Sequence, residues 1–261
     1  AAVTNDGNFD VNGLVSIAEL DNTGATTLNA SLFLNSGTSD LGGTITGVGG
    51  LIVVGGTANV TTALAYSGTT GISGGDMNVT GAGALASTAV NVSSGTLTTD
   101  SDALAPGAQV NVSDTGTFTS SGTDSYTSIT QTGGTINGSG VQTLSGGFNQ
   151  SGGSTGDTVD INAATFTQSN SATIGAGTKV TSSGAQTLSG GTIAGNLDGA
   201  GAVTVDTATT SLTGAGAITG ASAIGIVAGG TLASDGDGIS DAVTVTNDGV
   251  LTLTGDETIG A

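Results

Sequence analysis

Two neighbouring stretches, Val90-Asn-Val-Ser-Ser-Gly-Thr-Leu-Thr98 and Val110-Asn-Val-Ser-Asp-Thr-Gly-Thr-Phe-Thr119, carry the pattern that decides the fold. Each has two short pulses of alternating apolar and polar residues, with a glycine between them. Alternation with a period of two is typical of β-strands, because successive side chains point to opposite sides of the strand. The glycine allows a tight corner, since it lacks the Cβ that resists a positive φ. The pattern therefore predicts two strands joined by a turn.

The pulse recurs along the chain with a period of about 20 residues. First pulses start at positions 90, 110, 129, 159, 180, 203, 224 and 243, an even series apart from one longer gap between 129 and 159. Residues 139–147 recur almost unchanged as residues 183–191, an interval that we interpret as two periods. Residues 3–7 (Val-Thr-Asn-Asp-Gly) recur as residues 245–249, with Ile17 and Ile259 also in step, so the two ends of the sequence resemble each other.

A period of about 20 residues with two or three short strands predicts an all-β fold, a parallel β-helix (β-solenoid). One coil cannot bury its own apolar residues, so it must stack on the next. About 13 coils at a spacing of roughly 4.8 Å would give a rod about 60 Å long. A β-sandwich is the alternative, since turns at regular 8–12-residue intervals also favour that fold. The internal duplications favour the solenoid.

Composition limits the function. The chain has 49 glycines, no cysteine, no histidine and no arginine, and Lys179 is the single base against 20 acidic residues. The net charge of −19 repels nucleic acid, whose binding needs basic side chains. Thiol chemistry, Cys/His zinc sites and histidine-based catalysis lack their reacting atoms. The longest aliphatic run, residues 51–54, is far shorter than a membrane helix, so we expect no membrane span.

We predict a single solenoid array over residues 1–261. Residues 1–40 contain only four glycines and a longer alternation around residues 28–34, so they form either an end cap or atypical coils. No linker interrupts the array, and the single proline, Pro106, fits a corner.

Two segments carry a family resemblance. Ser101-Asp-Ala-Leu-Ala-Pro-Gly-Ala-Gln-Val-Asn-Val-Ser-Asp-Thr-Gly-Thr-Phe118 and Val243-Thr-Val-Thr-Asn-Asp-Gly-Val-Leu-Thr-Leu-Thr-Gly255 resemble the passenger repeats of bacterial autotransporters and haemagglutinin-like adhesins. The resemblance covers roughly residues 40–261 and rests on a degenerate motif. It implies an exported fibre or adhesin stalk at a bacterial cell surface.

One acidic segment predicts a metal site. In Asp235-Gly-Asp237-Gly-Ile-Ser-Asp241, carboxylates alternate with glycines and a further carboxylate follows, as calcium requires. The segment resembles the calcium repeats of thrombospondin type 3, although Ser234 stands where an acid would continue that pattern. A solvated turn is the alternative. Asp100 and Asp102 form a weaker version of the same pattern.

Catalytic motifs are incomplete, so we predict that the chain is not an enzyme and that calcium is its one candidate cofactor. The G-x-S-x-G pattern at residues 71–75 lacks a histidine base, and a glycine corner is its alternative explanation. The carboxylate pairs considered for polysaccharide hydrolysis are Asp157 with Asp160 and Asp198 with Asp206. The members of the first pair are an odd number of positions apart and would point to opposite sides of a strand, and Lys179 shows no obvious partner.

The function that we expect is structural: an extracellular cell-surface stalk, fibre or filament that associates with itself end to end. The alternatives are an adhesin that binds glycans or cell surfaces, with Tyr66 and Tyr126 as its aromatic contacts, and a calcium-dependent surface-layer protein. Thr-x-Thr pairs such as residues 117–119 and 165–167 also suggest ice binding, but the outward side of an ordinary strand explains them equally well. The residues expected to stack inward are Val90, Val92, Val110, Val112, Val203, Val205, Ile224, Ile226, Val243 and Val245.

Overall fold

The predicted fold class is confirmed. A computed structural model describes residues 1–81, 83–156 and 158–255, and every regular element in these ranges is a β-strand. The strand pairs within each part of the chain are parallel, and stacked strands lie about 19 residues apart in sequence, as in a solenoid. About 13 coils are present. The chain divides into two compact units, Ala1–Thr127 (unit 1) and Ser128–Ala261 (unit 2). The prediction of a single array over residues 1–261 remains a prediction.

Unit 1 contains strands β1 to β17. They are β1 Ala2–Asn5, β2 Asn8–Val11, β3 Val15–Ile17, β4 Glu19–Asn22, β5 Ala25–Leu28, β6 Leu32–Leu34, β7 Thr38–Leu41, β8 Thr44–Gly47, β9 Leu51–Val53, β10 Thr57–Val60, β11 Ala63–Tyr66, β12 Thr70–Val79, β13 Ala84–Leu85, β14 Ala89–Thr99, β15 Gln109–Val112, β16 Thr117–Ser120 and β17 Asp124–Tyr126.

Each coil of unit 1 contributes to three faces, numbered in chain order. The first face contains β1, β4, β7, β10, the second halves of β12 and β14, and β16. The second face contains β2, β5, β8, β11 and β13. The third face contains β3, β6, β9, the first halves of β12 and β14, and β15. Strands β1 to β7 follow the same layout, and an end-cap role for residues 1–40 remains a prediction.

Unit 2 contains strands β18 to β34. They are β18 Ser128–Gly138, β19 Val141–Leu144, β20 Gly147–Thr155, β21 Asp160–Ala163, β22 Thr165–Ser169, β23 Thr173–Ile174, β24 Lys179–Ser182, β25 Gln186–Ser189, β26 Gly191–Ile193, β27 Asn196–Asp198, β28 Val203–Val205, β29 Thr209–Leu212, β30 Ala217–Thr219, β31 Ile224–Ile226, β32 Thr231–Ser234, β33 Val245–Asn247 and β34 Val250–Leu253.

The faces of unit 2 are numbered separately. Its first face contains the first halves of β18 and β20, then β22, β25, β28, β31 and β33. Its second face contains the second halves of β18 and β20, then β23, β26, β29, β32 and β34. Its third face contains β19, β21, β24, β27 and β30.

The core consists of inward columns in which each side chain stacks on its equivalent one coil away. On the third face of unit 1, for example, Leu34, Val53, Ile72, Val92 and Val112 stack in register and are at most 1% exposed. Nine of the ten predicted inward residues are buried, and Val245 is half-buried. Stacking of branched aliphatic side chains removes apolar surface from water, which stabilises each coil against the next.

Two details of the predicted repeat are wrong. The pulses at 159 and 180 belong to the third face of unit 2, whereas those at 129, 203 and 224 belong to its first face. The long gap after 129 arises because the series changes face there. The duplication of residues 139–147 does not span two whole coils either, since two coils on the third face run only from Val141 to Lys179 and the copy begins beyond that point.

Candidate functional site

The predicted calcium segment is a solvent-exposed turn in unit 2. Asp235, Asp237 and Asp241 are all exposed and follow β32. The Asp235 carboxylate accepts hydrogen bonds from the backbone N–H of Gly214, at 3.1 Å to Oδ1 and 3.4 Å to Oδ2. Across the described ranges, no three acidic side chains form a group that could hold a metal ion. Calcium binding at this turn therefore stays a prediction.

The weaker acidic pair occupies a similar position in unit 1. Asp100 accepts a hydrogen bond from the backbone N–H of Gly81 (3.2 Å) and another from Ser121 Oγ (3.0 Å). Gly81 and Gly214 share a positive φ, 66° and 63°. In both units an aspartate thus accepts from a corner glycine of the preceding coil, and Asp102 lies near Asp100 as an exposed residue with φ 56°. These carboxylates stabilise corners through hydrogen bonds of their own.

The candidate hydrolase carboxylates do not form a described pair. Asp157 lies outside the described residues, and Asp160 is exposed on β21. Asp198 lies 3.0 Å from Lys179 Nζ through Oδ2, which corrects the expectation that Lys179 lacks a partner. Asp206 is half-buried after β28. An exposed ion pair of this kind contributes about 0–1 kcal/mol and is ordinary surface structure.

The G-x-S-x-G segment is a bend inside a strand. Ser73 is exposed within β12, at the place where its pairing with β14 changes register between the third and first faces. A nucleophile elbow joins a strand to a helix, and the described part of the chain has no helix. The segment therefore has the geometry of the glycine corner that was its alternative explanation.

The aromatic residues proposed for glycan binding are buried, so that part of the adhesin hypothesis is wrong. Tyr66 is 0% and Tyr126 1% exposed. Tyr66 Oη lies 2.5 Å from Thr70 Oγ1, and the Tyr126 ring packs edge-on against Phe118 with centroids 6.4 Å apart. Burial raises the pKa of both phenols. Neither ring reaches a ligand at the surface.

Sequence reasoning missed a buried carboxylate in unit 1. Asp124 is fully buried and accepts hydrogen bonds from Ala103 N–H (2.8 Å), Thr99 Oγ1 (3.3 Å) and Ser120 Oγ (3.3 Å), and also from Leu104 N–H. Burial raises the pKa of the Asp124 carboxyl, and these donors partly offset that rise. Its position in the strand could have revealed it. In Asp124-Ser-Tyr126 the acid is two positions from an inward tyrosine, so both side chains point to the same side of the strand.

A glutamine ladder in unit 2 was also missed. Gln131, Gln150 and Gln168 are buried in one column of the first face. Gln150 Nε2 donates to Gln131 Oε1 at 3.0 Å, and Gln168 Nε2 donates to Gln150 Oε1 at 3.4 Å. The amides also donate to backbone carbonyls, such as that of Ser154 (2.9 Å) and that of Thr173 (3.0 Å). An apolar-x-Gln pattern that recurs once per coil would have revealed the ladder.

The surface grooves are shallow and carry little chemistry. One, of about 290 Å³, lies on the second face of unit 1 and is lined mainly by Ala63, Leu64, Ala86, Leu104 and Pro106. Another, of about 270 Å³, lies on the third face of unit 2 beside β19, β21 and β24. The Thr-x-Thr pairs at residues 117–119 and 165–167 point outward around a buried phenylalanine, as an ordinary strand does. The first groove has one carboxylate in its lining, that of Asp102, and the second has none, so neither groove offers an acid–base pair.

Comparisons with known proteins add no assignment. No family model, curated protein or solved structure matches the chain. Within the described ranges, no helix reaches the length and apolar character needed to cross a membrane.

Proposed function

We propose that this chain is a non-enzymatic, exported β-solenoid that forms a stalk or fibre at a bacterial cell surface and associates end to end with further coils. The resemblance of its repeats to autotransporter passengers supports an extracellular location. The shallow grooves support a structural role over catalysis, as do the partners of Asp100, Asp124, Asp198 and Asp235 within the fold. The proposed mechanism is physical: coils add to coils through backbone pairing and apolar stacking.

The observation that carries the proposal is the state of the first coil. Its inward residues Val3, Phe9 and Val15 are only half-buried. Their partners one coil further, Leu20, Thr26 and Leu32, are at most 1% exposed. Another coil placed against β1, β2 and β3 would bury the first set in the same way and would pair the free backbone edge.

The acidic corners suggest how assembly is regulated. A net charge of −19 opposes close approach of chains, and divalent cations held between chains by exposed carboxylates such as Asp235, Asp237 and Asp241 would reduce that repulsion. Calcium therefore enters the proposal as an aid to assembly and not as a requirement of the fold.

Electron microscopy and sedimentation velocity of the purified chain, with calcium and with chelator, test the proposal. We expect filaments or end-joined particles, more of them with calcium. Val3→Asp should abolish them because it places a charge on the exposed end of the core. Thr4→Asp, the next residue on the outward side of β1, is the control and should leave them intact. Circular dichroism checks that both variants keep their β-structure. Single particles in every condition, or equal assembly by both variants, would contradict end-to-end association.

A further inference from the structure

The third face of unit 1 carries no charge over five successive coils. The third-face segments of the first five coils contain no ionisable side chain, although unit 1 carries ten of the acidic residues. The segments comprise the strand and its flanking corners in each coil: residues 12–18, 29–36, 48–55, 67–75 and 86–95. We call this surface the uncharged face.

The neighbouring first face has the opposite character. Glu19, Asp21, Asp40 and Asp76 lie on its strands β4, β7 and β12, and all four are exposed or half-buried. Asp40 is also stacked beside Asn59 through a 2.9 Å hydrogen bond. A basic partner would be drawn to this acidic face and would gain nothing from the uncharged one.

The uncharged face also exposes large apolar side chains. Phe33 and Ile52 point outward in one column and are half-buried. Leu14 and Val48 lie along one border with 78% and 73% of their surface exposed, and Val54 lies on the other with 39%. We call these five residues the apolar strip. Several large apolar side chains on one face mark interaction sites more often than single exposed residues do.

The next coil along leaves room for the strip. Gly71 follows Ile52 in the outward column, and a Cβ at Gly71 would lie 3.3 Å from Ile52 Cγ1. Glycine at this position lets the isoleucine side chain lie across the neighbouring coil. Ile52 therefore lies close to the backbone of the next coil.

We propose that the apolar strip is a lateral interface between two copies of this chain, packed face to face. Charge distribution selects this occupant. Two molecules of charge −19 repel each other wherever acidic side chains meet, and the uncharged face combines five coils without a carboxylate with large apolar side chains that a second copy can cover. A symmetric pair also places the same apolar residues of both copies in contact. The interface uses outward side chains, whereas end-to-end association uses the inward residues and the backbone edge of the first coil, so the two contacts are distinct.

The size of the strip sets the expected affinity. The apolar strip covers three coils, about 10 Å from the first strand to the third at strand spacing, so the buried area falls short of the roughly 800 Å² per partner of a stable interface. The association is therefore weak and depends on concentration. High salt should strengthen the association. The range of the charge repulsion is about 10 Å at about 0.1 M salt and shortens to about 3 Å at about 1 M.

Sedimentation equilibrium of the full chain carrying Val3→Asp, which blocks the coil end, measures this pairing alone. We expect a monomer–dimer equilibrium that strengthens with salt. Ile52→Asp should weaken dimerisation at least about tenfold. Thr98→Asp adds the same charge on the first face, at an outward position of β14, and should change it far less. Ile52→Thr keeps strand propensity, so it reports the loss of the apolar contact even where the aspartate variant folds poorly.

Cross-linking identifies the face that pairs. Because the chain has no cysteine, single cysteines at Asn91 and Asn59 can be joined by a short bis-maleimide reagent. Asn91 lies in the outward column of the uncharged face, and Asn59 lies on the acidic face. Dimers joined through position 91 and not through position 59 support the proposal. A monomer at every concentration, an unaffected Ile52→Asp variant, or preferential joining through position 59 would each overturn it.

Discussion

Two buried polar side chains, Asp124 of unit 1 and Gln186 of unit 2, differ in their hydrogen bonding. Asp124 in unit 1 is surrounded by donors, two of them backbone N–H groups. Gln186 in unit 2 is 1% exposed, and neither atom of its amide has a hydrogen-bond partner among the described residues. A buried polar group is stabilising only when its partners are also present, so the two sites should respond oppositely to the same apolar substitution.

Register explains why Gln186 is without partners. Phe148 and Phe166 stack in one column with ring centroids 5.4 Å apart, and the next residue in that column is Gln186. Leu188 in turn continues the column of Gln150 and Gln168, and within the described ranges the Gln168 Oε1 atom is left without a partner. The ladder therefore ends where glutamine and an apolar residue exchange places.

The largest expected effect is at Asp124. Asp124→Leu removes the acceptor of two buried backbone N–H groups and two hydroxyls, and each orphaned buried group costs about 1–3 kcal/mol. We expect a loss of about 3 kcal/mol or more in the free energy of unfolding, measured by urea titration. Asp21→Leu, an exposed position on β4, is the control and should change stability by less than about 0.5 kcal/mol. Equal effects would show that the donors around Asp124 do not matter.

Breaking the centre of the glutamine ladder comes second. Gln150→Leu removes the donor to Gln131 Oε1 and the donor to the Thr173 carbonyl. The same titration should show a loss of about 2 kcal/mol. Asn149, the exposed outward neighbour on β20, gives the control variant Asn149→Leu. A neutral Gln150→Leu would mean that the ladder contributes nothing beyond its packing.

Gln186→Leu should act in the opposite direction. Since it removes two unsatisfied polar atoms and extends an apolar column, we expect it to raise the free energy of unfolding by about 1 kcal/mol. Thermal unfolding followed by circular dichroism is sufficient to see the sign. Destabilisation would instead indicate that the amide is satisfied by a buried water, and the comparison between the units would then fail.

The smallest effect is the dependence of stability on pH. Burial raises the pKa of Asp124 above its unfolded value of about 3.9, so the folded state holds this proton more tightly than the unfolded state. The resulting stability is complete below the unfolded pKa and is lost as the pH rises through the folded pKa. Tyr126 is the neighbouring ionisable group, and the Asp124 charge raises its pKa further.

The measurement compares wild type with Asp124→Asn, which does not titrate. Their difference in unfolding midpoint should change as the pH rises from below the unfolded pKa of about 3.9, with wild type losing stability relative to the variant. The exposed carboxylates are common to both proteins and cancel in the difference. A constant difference would show that Asp124 titrates alike in the folded and unfolded states.

Much of the fold was predictable from sequence because alternation and coil stacking are local rules. The inward stacks at Val90, Val110 and Val203 were correct. The three-face layout was not fully recognised, since strands such as β13 and β23 are only two residues long and leave almost no periodic signal. Coils also differ in length: β25 pairs with β28 over a shorter stretch of chain than β29 with β32, so a fixed period cannot assign a face.

The sites were harder to predict, because partners come from neighbouring coils. The role of Asp235 depends on Gly214, and that of Asp124 on Ala103, each 21 residues away. Calcium ligands can be proposed from spacing alone, whereas a backbone donor on another coil cannot. The aromatic residues failed for a related reason: parity with buried neighbours, and not residue type, decides that Tyr66 and Tyr126 point inward.

The duplicated segment has a consequence for how such chains grow. Residues 139–147 surround β19 on the third face of unit 2, whereas their near-identical copies at 183–191 surround β25 on its first face. The copy is thus displaced by two coils and one further face. The duplicated unit is then one strand with its corner, and not a whole coil. Inserting one strand and its corner would move every later strand to the next face. Each moved strand would still stack on a strand of the preceding coil.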